Sequence, residues 1–165
     1  MGVTVVSLVV SIIALILSLF VFFQLKDKDN STPDSFSTRP LQLQAYERLV
    51  ILCERIALPN LISRLYQPGL TAKEMQVFLL ESIKQEYEYN ASQQIYVSQQ
   101  SWEAVRNLRD QNMLMINTIS KTLAPESTAA DLNKRIIEGL MHEEKAALHT
   151  YVADTLNSEA KKIMK

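Results

Sequence analysis

At 165 residues the chain has room for one membrane segment and one domain of ordinary size. A formal net charge of −1, with every charged residue at or beyond Lys26, excludes the basic stripe on which nucleic-acid binding depends. Three glycines are few for a fold built from tight turns, and a lone cysteine cannot form an internal disulfide, so a composition rich in Leu, Ile, Ala, Gln, Glu and Lys predicts helix.

From Val3 to Phe23 there is no charge. As a helix this run would span roughly 30 Å, the thickness of a bilayer core. No Lys or Arg precedes it and it ends in the bulky FVFFQL, so it reads as an uncleaved anchor and not as a signal peptide. Lys26 and Lys28 directly after it predict a single-pass protein with its N-terminus outside and its C-terminal domain cytoplasmic. Thr4, Ser7, Ser11, Ala14 and Ser18 recur at intervals of three and four, a small-residue seam suited to packing against another helix, of a second copy or of a different protein.

The stretch KDKDNSTPDSFSTRP is polar, carries Pro33 and Pro40, and reads as a flexible tether. The chain therefore divides into an anchor over residues 1–25, a linker over 26–40 and a helical domain over 41–165.

Four helical patterns follow. The first starts near Thr38 and places Tyr46, Leu49, Cys53 and Ile56 on one stripe; Pro59 breaks or kinks it, and Asn60 can restart a short turn. Gln67-Pro68-Gly69 is a stop. The second opens with Thr71 and Glu74 as a capping box and buries Met75, Phe78, Leu79, Ile83 and Tyr87, ending near Tyr89. NASQQIYVS then loses the helical period and reads as an extended connector. Ser98 caps the third helix, with Trp102, Val105, Leu108, Met115 or Ile116, Ile119 and Leu123 inward until Pro125. The fourth is capped by Thr128, with Asp131 three residues on, and runs almost to the terminus as one helix of roughly 30 residues through Leu132, Ile136, Leu140, Ala147, Tyr151 and Leu156. The predicted fold is all-α: an N-terminal transmembrane helix followed by an antiparallel bundle of about four helices.

No catalytic constellation emerges. Glu138 and His142 lie one turn apart in EGLMHEEKAALH, but neither histidine follows a Glu by three, as a di-iron bundle requires, and HEEKAALH lacks the zincin spacing. There is no phosphate-cradling glycine loop and no nucleophile elbow. The sequence thus predicts no catalytic residue, no cofactor, no metal and no small-molecule substrate. An enzyme with a site assembled across helices from Glu86, Glu138, His142 or His149 is the alternative. The stretch EYEYNASQQIYVSQQSW is aromatic and amide-rich. Tyr87 and Trp102 read as core, and Tyr89 and Tyr96, with Arg106 and Arg109 near them, as partner contacts.

FSTRPLQLQAYERLVILCERIALPNLISRLYQPGL and EYEYNASQQIYVSQQSWEAVRNLRDQN together resemble an uncharacterised family of small, single-span, membrane-anchored helical proteins of Bacteroidetes-type bacteria. The resemblance implies a bacterial inner-membrane location and carries no activity or catalytic residue with it. The expected function is that of a non-enzymatic, membrane-anchored interaction or scaffold protein, such as an accessory subunit of an inner-membrane complex.

Overall fold

The computed structural model describes residues 14–22, 38–142 and 145–165, with the side chains between 142 and 147 left out. The chain divides into two compact units, Met1–Thr38 and Arg39–Lys165. Of the first, residues 14–22 are helical (α1) and exposed along their length. No helix among the described residues is long and apolar enough to cross a membrane. That finding corrects the expected transmembrane helix over residues 1–25, because a span needs about 20 consecutive apolar helical residues. Of the small-residue seam, Ala14 and Ser18 fall on α1, while Thr4, Ser7 and Ser11 lie outside the described residues.

The second unit is a helical bundle of more elements than the periodicity predicts. Its order is α2 (Arg39–Ile56), α3 (Leu58–Leu65), α4 (Ala72–Tyr89), a 3₁₀ turn (Ala91–Ile95), α5 (Gln99–Lys121), α6 (Ala129–His142) and α7 (Lys145–Met164). The core stripe of α2 is as read from the sequence, with Tyr46, Leu49, Cys53 and Ile56 buried beside Ala45 and Leu52.

Pro59 then divides two helices. Ala57 is extended (φ −56°, ψ 123°) and caps α3, so Pro59 falls in the first turn of that helix, where its missing N–H costs nothing. The break leaves carbonyls at the end of α2 in need of donors. Three successive ones are taken by side chains: Glu54 O by Asn60 Nδ2 at 3.1 Å, Arg55 O by Arg64 Nη2 at 3.3 Å, and Ile56 O by Asn112 Nδ2 of α5 at 2.8 Å. Asn60 therefore closes the end of α2 from within α3 and is not the restarting cap.

Gly69, at φ +86°, makes the turn into α4 with a conformation that a side chain would strain. Thr71 caps α4 as predicted: its Oγ1 accepts from Glu74 N at 3.2 Å, and its own N–H donates to Glu74 Oε2 at 2.9 Å. Thr128 and Asp131 repeat the device at α6, at 3.3 and 2.9 Å. The two starts are joined by an isolated antiparallel bridge between Thr71 and Thr128. Ala72 N donates to Ser127 O at 2.8 Å and Ala129 N to Leu70 O at 2.9 Å, so two helix entries far apart in the chain share one clasp.

The connector after α4 is a 3₁₀ turn and not extended chain, closed by backbone hydrogen bonds from Gln93 N to Asn90 O and from Tyr96 N to Gln93 O, both at 3.0 Å, which β-propensity alone does not weigh. Ser98 caps α5 by accepting from Ser101 N at 3.2 Å, and its own N–H donates to the buried Tyr46 hydroxyl at 3.1 Å, which ties α5 to α2. The buried Gln76 joins α4 to α5 by donating to Asn117 Oδ1 at 2.7 Å and accepting from Ser120 Oγ at 3.0 Å. At Gly139 of α6 the Met115 side chain of α5 packs against the backbone: an added Cβ would meet Met115 Cε at 2.7 Å.

The predicted long fourth helix is two helices. Leu132 and Ile136 are buried on α6 and Leu156 on α7, as predicted, but Val152 takes the inward place given to Tyr151, which is exposed. Phe78 of α4 is likewise exposed, not core.

Candidate interaction surface

The residues that could have built an enzyme site do not converge. Arg55 Nε donates to Glu86 Oε1 at 2.6 Å and Arg64 Nη2 lies 3.6 Å from the same oxygen, so two guanidinium groups occupy this carboxylate. That hydrogen bond, and then the carboxylate's charge, raise the pKa of Arg55 above its ordinary value. Glu138 pairs with Lys134 of its own helix at 3.9 Å. His149 Nε2 lies 3.3 Å from Glu54 Oε1 without hydrogen-bond alignment. The side chain of His142 is outside the described residues. Among the described residues no three His, Cys, Asp or Glu side chains are grouped as metal ligands. Cys53 is fully buried, and burial, followed by the charge of Glu54, pushes its thiol up to about 12, which keeps it protonated and unreactive at neutral pH.

The conspicuous surface feature is a groove of about 710 Å³ between α2 and α4. The two helices run antiparallel, since Arg48 faces Tyr89 while Arg55, two turns further on, faces Glu86. One wall is Gln44, Arg48, Ile51 and Arg55; the other carries Gln85, Glu86, Tyr89 and Asn90. The α2 wall is spaced four, three, four. On α4, Phe78, Ser82, Gln85 and Tyr89 show the same spacing, and Ser82 Oγ accepts from Arg64 Nη2 at 3.4 Å. Such spacing keeps one face of a helix in line along its axis, so the α2 wall is a second stripe besides the stripe packed in the core; of the α4 series, Gln85 and Tyr89 line the groove.

Its apolar parts stand open: Ile51 is 51 % and Tyr89 75 % exposed. Arg48 lies over the Tyr89 ring, 5.2 Å from its centroid. The floor is set by Asn90, whose Nδ2 donates to Glu86 O at 2.8 Å and so terminates α4. Arg48 and Arg55 outnumber the single lining carboxylate, Glu86, which leaves the groove net positive.

Of the sequence-predicted contacts, Tyr89 lines this groove. Arg109 does not: its guanidinium lies 4.0 Å from the Tyr87 ring centroid and pairs with Asp110 at 2.7 Å, and Tyr87 in turn stacks on Trp102 at 5.1 Å. Tyr87 and Trp102 are half-buried, packed against the core edge. Tyr96 and Arg106 are exposed elsewhere on the bundle surface. Arg48, Ile51, Arg55 and Gln85 were missed by sequence reasoning. The available signal was that Ile51, in LVILC, is one apolar residue more than the core stripe of α2 can bury.

The model of a family described as "Family of unknown function (DUF7935)" matches residues 1–163, and the chain belongs to that family. No curated protein and no solved structure matches it.

Proposed function

We propose that this member of the DUF7935 family is a non-enzymatic interaction protein, a subunit of a larger assembly, whose α2–α4 groove receives an amphipathic helix from a protein partner. The observation that carries the reading is the open groove itself, in which an α2 wall of four-three-four spacing stands opposite Gln85, Glu86 and Tyr89 of α4, a seat for a third helix. Ile51 and Tyr89 are its apolar anchors, and Arg48 and Arg55 favour a partner helix edged with carboxylates. The separation of Glu86, Glu138 and His149 into unrelated contacts supports docking over catalysis.

Photo-crosslinking in cells, with the probe at Ile51 and separately at the exposed Leu114 of α5, tests this. One protein captured from Ile51 and not from Leu114 is expected, a second copy of this chain being one admissible identity. The captured helix, made as a peptide, should bind the wild-type chain and lose about thirtyfold with Ile51→Asp, the effect of removing an anchor worth about 2 kcal/mol. Equal capture from both positions, or peptide binding indifferent to Ile51→Asp, would rule the groove out.

A further inference from the structure

A second concavity owes nothing to the groove. Where Pro59 parts α2 from α3, a cavity of about 550 Å³ opens between that junction, α5, α6 and the start of α7. This is the ordinary size of a small-ligand pocket. The walls are apolar, with Leu58, Leu108, Ile137 and Leu140 among them, and Met141, 82 % exposed, stands at the mouth. Three polar side chains, Asn60, Asn112 and His149, also line it.

The state of those groups decides what the pocket accepts. Asn112 is only 8 % exposed, and its Nδ2 donates to Ile56 O. Asn60 Nδ2 donates to Glu54 O at 3.1 Å and lies 3.2 Å from Glu54 Oε2. A carbonyl and a carboxylate can only accept, so both N–H groups of Asn60 and one of Asn112 are committed to protein oxygens, and each amide keeps its acceptor oxygen. Behind them Glu54 supplies a negative charge, and His149 Nε2, buried without a hydrogen-bond partner, faces that carboxylate. The polar end thus presents two amide oxygens and a single remaining Asn112 N–H beside the Glu54 carboxylate, and has no Lys or Arg in its lining.

The geometry points to a binding site for a small, mainly apolar molecule with a hydrogen-bond donor at one end, an alkyl or aryl alcohol or amine and not a carboxylic acid. Its body replaces water against the apolar walls, and its hydroxyl or ammonium group meets the asparagine oxygens. A carboxylate in that place would face Glu54 and the acceptor oxygens without a donor of its own.

The full chain is photolabelled with a diazirine-bearing decanol analogue and mapped by peptide mass spectrometry. Saturable labelling near one equivalent is expected, on peptides holding residues 57–60, 108–112 and 137–149. Decanol and decylamine should suppress it at concentrations about tenfold below those needed for decanoate, a discrimination of ordinary size for one mismatched polar group. Met141→Glu places a charge at an exposed position of the mouth; it should leave the far-ultraviolet circular dichroism unchanged and cut labelling at least about fivefold. Ile51→Asp, in the separate α2–α4 groove, should leave labelling unchanged, whether or not a helix docks there. Labelling that fails to saturate, maps elsewhere, or persists in Met141→Glu would overturn the site. Decanoate competing as well as decanol would overturn the donor-bearing ligand class.

Discussion

Asn112 and Pro59 meet at one problem, from α5 and from the α2–α3 junction. A proline in the first turn of α3 is cheap for α3 itself, but the carbonyls before it must then find donors outside the helical ladder. Asn60 and Arg64 serve Glu54 and Arg55 from the surface, where water could replace them. Asn112 serves Ile56 in the interior, where water cannot. Asn112→Leu should therefore lower stability by about 1–3 kcal/mol, the cost of a buried carbonyl left without a donor, seen as a shifted urea midpoint at unchanged slope. An unchanged midpoint would mean that the Ile56 carbonyl finds another donor. The periodicity of α5 shows that position 112 faces inward, but not that it faces a broken helix end. That depends on Ile56 and Asn112 meeting across 56 positions of chain.

The helix starts were the most legible elements, because a capping box is a local device needing only four consecutive residues. Thr71 with Glu74 is formed as predicted, and Thr128 with Asp131 forms the same reciprocal pair. Hydrogen bonds from Thr71 hold the Glu74 carboxyl below its ordinary pKa, and hydrogen bonds from Thr128 do the same for Asp131. A carboxyl depressed in the folded state stabilises it above the unfolded pKa and loses that contribution as pH falls through the folded one. Stability should accordingly be level at neutral pH and fall from about pH 5 downward, since unfolded carboxyls titrate near 4. The double variant Glu74→Gln with Asp131→Asn keeps side-chain acceptors at both boxes and removes both titrations, so its unfolding midpoint should fall less steeply over that range. An identical pH profile would show that the boxes do not contribute to acid sensitivity. The helix interiors and ends were less legible. Periodicity merged α6 and α7 into one helix and placed Tyr151 inside, because Leu132, Ile136 and Tyr151 fit a single continuous stripe. The core instead takes Val152, one residue later.

At the scale of the whole chain, Arg39–Lys165 holds its own core. The clasp between Thr71 and Thr128, the Tyr46 bond to Ser98 and the Gln76 bridge to α5 all close within it. A fragment of residues 38–165 should therefore fold alone, with a single cooperative thermal transition and the helical content expected from α2–α7. A broad, non-cooperative melt would show that residues 1–37 are needed to complete the fold. The candidate surfaces also belong to this scale. Tyr89 was legible as an outward aromatic because an aromatic in an amide-rich stretch stands out, whereas the placing of Arg48 and Ile51 on the groove was not, since a side chain on an outward face is read as solvated until a second helix is placed beside it.

What the sequence determined by itself is what local physics determines: an all-helical chain, the core stripe of α2, the caps of α4, α5 and α6, and the break at Pro59. These rest on hydrogen bonds and side-chain periods that close within a few residues. Only the tertiary structure decided the phase of α7, the 3₁₀ turn after α4, the donor for Ile56 and the two concavities. Each of these joins residues from helices distant in sequence. The order of residues along one helix shows which faces exist, and packing decides which of them are covered.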